Sequence, residues 1–193
     1  MKGLLKAIWY DMSDFDARQE ERGMHGIQAD QSPEKLINAA LERSLIPKEQ
    51  ELISQMVKED PELLTRSRLS PSNVDELCRE NPHVAVDFLL LKLQSGEADA
   101  YFAALSRLEI TLNAIEMVDM LARSPLFNTI PGMDDFINPF IVRCISACDN
   151  ICDVYQQNRM ARIVCIFFQS LAHKRCVDMS RMVFELEAFC IGF

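Results

Sequence analysis

Apolar residues recur along the chain at intervals of three and four, the spacing that lays one stripe on a helix. Leu52 and Met56 form one such pair, Val84, Phe88 and Leu91 a second group, and Leu112, Ile115, Val118, Met120 and Leu121 a third. The C-terminal third carries the clearest pattern. Ile141, Ile145, Cys148, Cys152 and Tyr155 make one stripe, and Met160, Ile163, Val164, Phe167, Phe168 and Leu171 a second, broader one. The joint at residues 156–158 is short enough to fold these two helices back as an αα-hairpin. A third helix over residues 177–191 is expected to cover the hairpin with Met179, Met182, Val183, Leu186 and Phe189.

A recurring punctuation separates the stripes: Ser32-Pro33, Ser70-Pro71, Asn81-Pro82 and Asn138-Pro139. A small polar side chain accepts from a free first-turn N–H, and proline supplies a preset φ where its missing donor costs nothing. Each pair therefore predicts a helix start. Pro139 also admits a kink in a helix beginning near Asp134, and the start after Asn138 is the preferred reading. The break at residues 124–135, with Pro125, Pro131 and Gly132, divides two groups of helices without making two domains.

The expected fold is all-α, an array of antiparallel helical hairpins of about eight helices in a single compact domain over residues 32–193. Residues 1–31 lack sustained periodicity, and Asp11, Asp14, Asp16, Glu20 and Glu21 with Gly23 and Gly26 predict a poorly ordered, flexible lead-in in which Trp9 and Tyr10 could still dock.

Composition narrows the function. The longest apolar run, Ile163 to Phe168, is far shorter than the ~20 residues of a membrane span, and residues 1–10 are too weakly apolar for a secretory signal. Seven cysteines make an odd count and lie on predicted helices, which fits a reducing compartment. A formal net charge of −9 opposes binding to a phosphate backbone. The charge is uneven, because residues 156–193 carry Arg159, Arg162, Lys174, Arg175 and Arg181 against Asp178, Glu185 and Glu187. A basic face that orients a partner and an ordinary solvated helix surface both fit this distribution.

Candidate chemistry is sparse. The chain has no phosphate-binding glycine loop, no His-Glu-x-x-His and no Cys-x-x-Cys. His25, His83 and His173 fall in a loop, a first helical turn and a helix end, places that suit packing or the helix dipole better than catalysis. Cys144, Cys148 and Cys152 share a helical face with Ile141 and Ile145, where free cysteine acts as a small hydrophobe. No catalytic residue, cofactor or metal site is therefore expected, and the chain is not expected to be an enzyme.

From Asn81 onward the chain resembles the C-terminal domain of subunit 11 of the CCR-NOT deadenylase complex. The resemblance rests on Asn81-Pro82-x-Val84-Ala85, Leu89-Leu90-x-Lys92-Leu93, Tyr101-Phe102-x-x-Leu105 and Cys144-Ile145-Ser146-x-Cys148. Its most distinctive block is Gln157-Asn158-Arg159-x-x-Arg162-x-Val164-Cys165-x-Phe167-x-Gln169-Ser170-Leu171, and Ala188-Phe189-Cys190-Ile191-x-Phe193 closes it. The resemblance is firm over residues 47–193 and faint over 9–45. Family members carry a longer N-terminal helical part and continue past the position of Phe193, so a short or truncated member is expected.

The resemblance implies a non-catalytic adaptor in cytoplasm and nucleus. Such a subunit supports mRNA deadenylation, mRNA decay and translational repression through contacts with the tetratricopeptide-repeat subunit 10, the scaffold subunit 1 and accessory proteins. Gln157, Asn158, Arg159 and Arg162, read as a polar helix start interrupting apolar helices, are the candidate partner-binding residues. The competing assignment has Asn158 capping the helix while Arg159 and Arg162 pair with Glu185 or Glu187. Direct nucleic-acid binding is not expected; the alternative function is that of a helical-array RNA-binding regulator with a basic C-terminal face.

Overall fold

The computed structural model describes residues 32–174, Val177 and residues 179–192. The expected lead-in, His25, Arg175, Cys176 and Phe193 lie outside the described residues. Ten α-helices follow one another in the described chain: α1 Pro33–Glu42, α2 Pro47–Glu59, α3 Glu62–Arg66, α4 Val74–Glu80, α5 Pro82–Lys92, α6 Ala98–Leu105, α7 Leu112–Arg123, α8 Met133–Asp149, α9 Val154–Lys174 and α10 Val183–Gly192. Short 3-10 turns stand at Pro71–Asn73, Phe127–Thr129 and Met179–Met182. The all-α array expected from the periodicity is the architecture found, and its count rises above eight because five-residue α3 and seven-residue α4 are too brief to leave a stripe.

Two helices are apolar on more than one face and form the centre. In α5, Pro82, Val84, Ala85, Val86, Phe88 and Leu89 are all buried; in α7, Ala114, Ile115, Met117, Val118, Leu121 and Ala122 are. Buried faces this wide must be covered on several sides. Accordingly α5 packs on α2, α4 and α7, and α7 packs on α4, α5 and α9. Each fully buried Leu, Ile or Phe here contributes roughly 1.5–3 kcal/mol. In α2 the buried face is Ile53 and Val57, one residue on from the expected pair: Leu52 is exposed and Met56 half-buried.

Proline at the first helical position holds at Pro33, Pro71 and Pro82. The expected side-chain cap does not hold at Asn81. Its side chain is fully buried and reaches back to the α1–α2 connection, where Oδ1 accepts from Leu45 N at 2.8 Å and Nδ2 donates to Ala40 O at 2.7 Å and Arg43 O at 2.8 Å. These three bonds satisfy backbone groups that would otherwise be buried without partners, so Asn81 joins segments almost forty residues apart. Thr111 is the capping side chain at α7, its Oγ1 accepting from Ala114 N at 3.2 Å.

At Asn138-Pro139 the expected helix start is wrong. Pro139 lies inside α8, which begins at Met133. Proline there removes the bond to the Asp135 carbonyl, a loss of about 3 kcal/mol in a helix interior. The helix persists because Met133, Phe136 and Ile137 before the proline and Phe140 and Ile141 after it all bury on one side. Gly132 sets the true start at φ +84°, a left-handed conformation that glycine adopts freely, and a Cβ there would stand 3.2 Å from the Phe102 ring.

A file of aromatic rings ties α6, α8, α9 and α10 together. Phe102 meets Phe136 at 6.1 Å, Phe136 meets Phe140 at 5.6 Å, Phe140 meets Phe167 at 6.0 Å, and Phe168 meets Phe189 at 5.9 Å. Each contact adds roughly 0.5–1.5 kcal/mol beyond area burial. This file fixes which face of α9 is inside.

Candidate protein-binding surface

The α8–α9 pairing expected from the sequence is present, but its joint lies at residues 150–153 rather than 156–158. Asp153 sets the start of α9: its Oδ1 accepts from Gln156 N at 2.7 Å, and its carbonyl accepts from Gln157 N at 2.8 Å. An acid followed three residues later by glutamine, just ahead of an apolar run, is a helix-start signature. Reading Asp153 and Gln156 in that way would have placed the boundary correctly. With α8 ending at Asp149, Cys152 leaves the expected stripe for the connection, where it is exposed, and Tyr155 stands 75% exposed on the first turn of α9.

The four residues expected to mark a helix start therefore lie within α9, and the helix separates them. Gln157 turns toward α8, its Nε2 donating to Cys148 O at 3.2 Å, and so closes the end of the hairpin. Asn158 and Arg162 are exposed and Arg159 is half-buried. At 100° per residue, Asn158, Arg159 and Arg162 share the outer face with Tyr155, Ile166, Gln169 and His173, opposite the buried Ala161, Val164, Phe168 and Leu171. Asn158 stands one turn inside the helix and does not cap it. Among the described residues, no ion pair joins Arg159 or Arg162 to Glu185, Glu187 or any other acid.

The electrostatics of this face are one-signed. The 21 residues of α9 include Arg159, Arg162 and Lys174, with His173 in the last turn, and no Asp or Glu. Elsewhere some cations pair locally, Arg43 with Glu49 at 2.7 Å, Arg66 with Asp60 at 2.7 Å and Arg123 with buried Asp119, while Lys35, Lys48, Lys58, Arg68 and Arg107 join no ion pair among the described residues. The C-terminal α10 packs Phe189 inward but leaves Phe184 83% and Ile191 87% exposed. Val183, expected in the cover over the hairpin, is also exposed, while Met182 is buried as expected.

The cysteines and histidines offer little for chemistry. Cys144 and Cys148 are buried thiols on α8; burial pushes Cys144 far up and Cys148 up to about 11, so neither is a thiolate at neutral pH. Cys78 is likewise buried and pushed up to about 12. His83 stands in the first turn of α5 with Nε2 3.9 Å from Oε1 of half-buried Glu116, a pairing with no nucleophile in it. Among the described residues no group of three or more His, Cys, Asp or Glu could hold a metal ion, and no helix is long and apolar enough to cross a membrane.

Two comparisons bear on this surface. A family model described as CCR4-NOT transcription complex subunit 11 matches residues 78–193. A curated protein of that same description from Dictyostelium discoideum is 34% identical over 134 residues, which is 69% of this chain and 20% of the relative. The chain thus spans about a fifth of the length of the curated relative it matches. The matched region includes α5 to α10 and with them the whole outer face of α9.

Proposed function

The chain belongs to the CCR4-NOT transcription complex subunit 11 family, and from that membership we propose that it works as a non-catalytic adaptor, joining the CCR4-NOT assembly through protein contacts and supporting deadenylation, mRNA decay and translational repression carried out by other subunits. The observation that carries the reading is the outer face of α9. Tyrosine and arginine are the side chains most enriched where interface energy concentrates, and Tyr155, Arg159 and Arg162 stand together there, the arginines without an internal ionic partner among the described residues. Catalysis would need a nucleophile and a base converging on one cleft, whereas the buried thiols of Cys78, Cys144 and Cys148 are held in their unreactive protonated form.

In this reading Asn158, Arg159 and Arg162 contact the partner, and Gln157 holds the hairpin that presents them. Subunit 10, the scaffold subunit 1 and accessory proteins are the partners, met in cytoplasm and nucleus. Affinity purification of the tagged full chain from cells tests the proposal. CCR4-NOT subunits should be recovered in amounts comparable to the bait; their absence from the eluate would sink the adaptor reading.

A further inference from the structure

Resting on the adaptor reading, we propose that the outer face of α9 receives an acidic, amphipathic helical segment of a partner protein. Charge is the first ground. A helix of 21 residues with three Lys or Arg and no carboxylate stands out in a chain of formal charge −9, and an acidic segment is the complement of that face. Arginine adds geometry to charge, because its planar fork takes a carboxylate through two parallel hydrogen bonds.

The second ground is the order of side chains. Tyr155, Arg159, Arg162, Ile166 and Gln169 follow one another at steps of three and four, so the stripe runs along the helix for about 20 Å. Tyr155 is 75% exposed and Ile166 half-buried, which puts an apolar contact at each end of the two cations. A partner helix of about four turns, with apolar residues one or two turns either side of Asp or Glu, matches that alternation. Among the described residues there is no strand whose edge an extended peptide could join.

The acidity of the rest of the chain selects protein over nucleic acid. A polyphosphate carries charge along its whole length and meets the repulsion of the acidic body, whereas a short acidic helix places a few carboxylates opposite the arginines alone.

Panning a phage-displayed library of random 16-residue peptides against the full chain, and in parallel against Arg159→Glu, Arg162→Glu, tests the partner class. Circular dichroism first establishes equal melting of the two baits; if the reversal unfolds the chain, Arg159→Gln, Arg162→Gln replaces it. The selected peptides should be net negative, with acids spaced three or four apart between apolar residues. They should bind the unaltered chain at least tenfold more tightly than the variant. Enrichment of neutral or basic peptides, no enrichment, equal affinity for both baits, or tighter binding of a single-stranded oligoribonucleotide than of the best peptide would overturn the proposal. Co-purification of CCR4-NOT subunits is read separately: subunits recovered without acidic-peptide binding removes the partner class alone, and acidic-peptide binding without subunits removes the complex alone.

Discussion

Asn81 and Asn158 look alike in the sequence, each a polar residue ahead of an apolar helix, the first read as its cap and the second as a partner-binding residue with capping as the competing assignment, yet the fold uses them in opposite ways. Asn81 is fully buried and makes three hydrogen bonds to backbone more than thirty-five residues away. Asn158 faces outward on α9 beside Arg159 and Arg162. The first is used up in holding α1, α2 and α5 together; the second leaves its amide available. Whether such a polar residue is consumed inside the fold or left facing outward thus depends on what the rest of the chain brings to it, and the two placements give opposite mutational signatures.

The largest effect is expected at the inward residue. Asn81→Ala strands the Leu45 N–H and the Ala40 and Arg43 carbonyls, with a loss of about 3 kcal/mol in denaturant unfolding and a Tm roughly 10 °C lower. A loss under about 1 kcal/mol would mean that water replaces the side chain and that the contrast with Asn158 is overdrawn.

Pro139→Ala comes next, with the opposite sign. Pro139 is exposed and interrupts α8, so alanine restores the amide to the Asp135 carbonyl and removes the ring clash. A gain of about 1 kcal/mol or more is expected in thermal unfolding. No gain would show that the proline shapes α8 for its packing on α9.

A smaller effect separates two carboxylates by pH. Burial raises the Glu116 carboxyl above its ordinary value, with His83 and Arg123 pulling it back. A folded value above the unfolded one contributes stability that is complete at low pH and is lost as pH rises through the folded value. Glu116→Gln should therefore raise Tm modestly at pH 7 and leave it unchanged below about pH 4. Glu49 behaves inversely: the Arg43 hydrogen bond lowers its carboxyl, so its contribution is present above the ordinary range and disappears on acidification. Glu49→Gln should lower Tm at pH 7 only. Matching pH profiles for the two variants would contradict these assignments.

The smallest expected change in stability belongs to Asn158→Ala. An exposed helical site should shift unfolding by no more than about 0.5 kcal/mol in either direction. A clear loss would mean that Asn158 holds the hairpin as Gln157 does.

Much of the fold was legible because helices write their buried faces locally. The stripe Met160, Ile163, Val164, Phe167, Phe168 and Leu171 reads directly as the inner side of α9, and Pro33 and Pro82 mark true helix starts. The failures share a physical cause. At Pro139, packing of Phe136, Ile137, Phe140 and Ile141 overrides a local breaker. At Asn81, the partners are distant in sequence and leave no local trace. The sequence pattern puts Tyr155 in a buried stripe because the periodicity of α8 continues by coincidence past Asp149, although Asp153 and Gln156 mark a new helix. The candidate surface was legible as a polar block within the family resemblance; its division into inward Gln157 and outward Asn158, Arg159 and Arg162 needed the helix register.

The central claim is that the outer face of α9 recognises a protein and contributes little to the fold. Quantitative co-purification of CCR4-NOT subunits with tagged Arg159→Glu, Arg162→Glu, beside the unaltered chain and with Tm measured on both, tests it most directly. The expected result is a tenfold or greater loss of at least one co-purifying protein, with a Tm within about 2 °C of the unaltered chain. Full retention of every partner, or partner loss only together with a clearly lowered Tm, would contradict it.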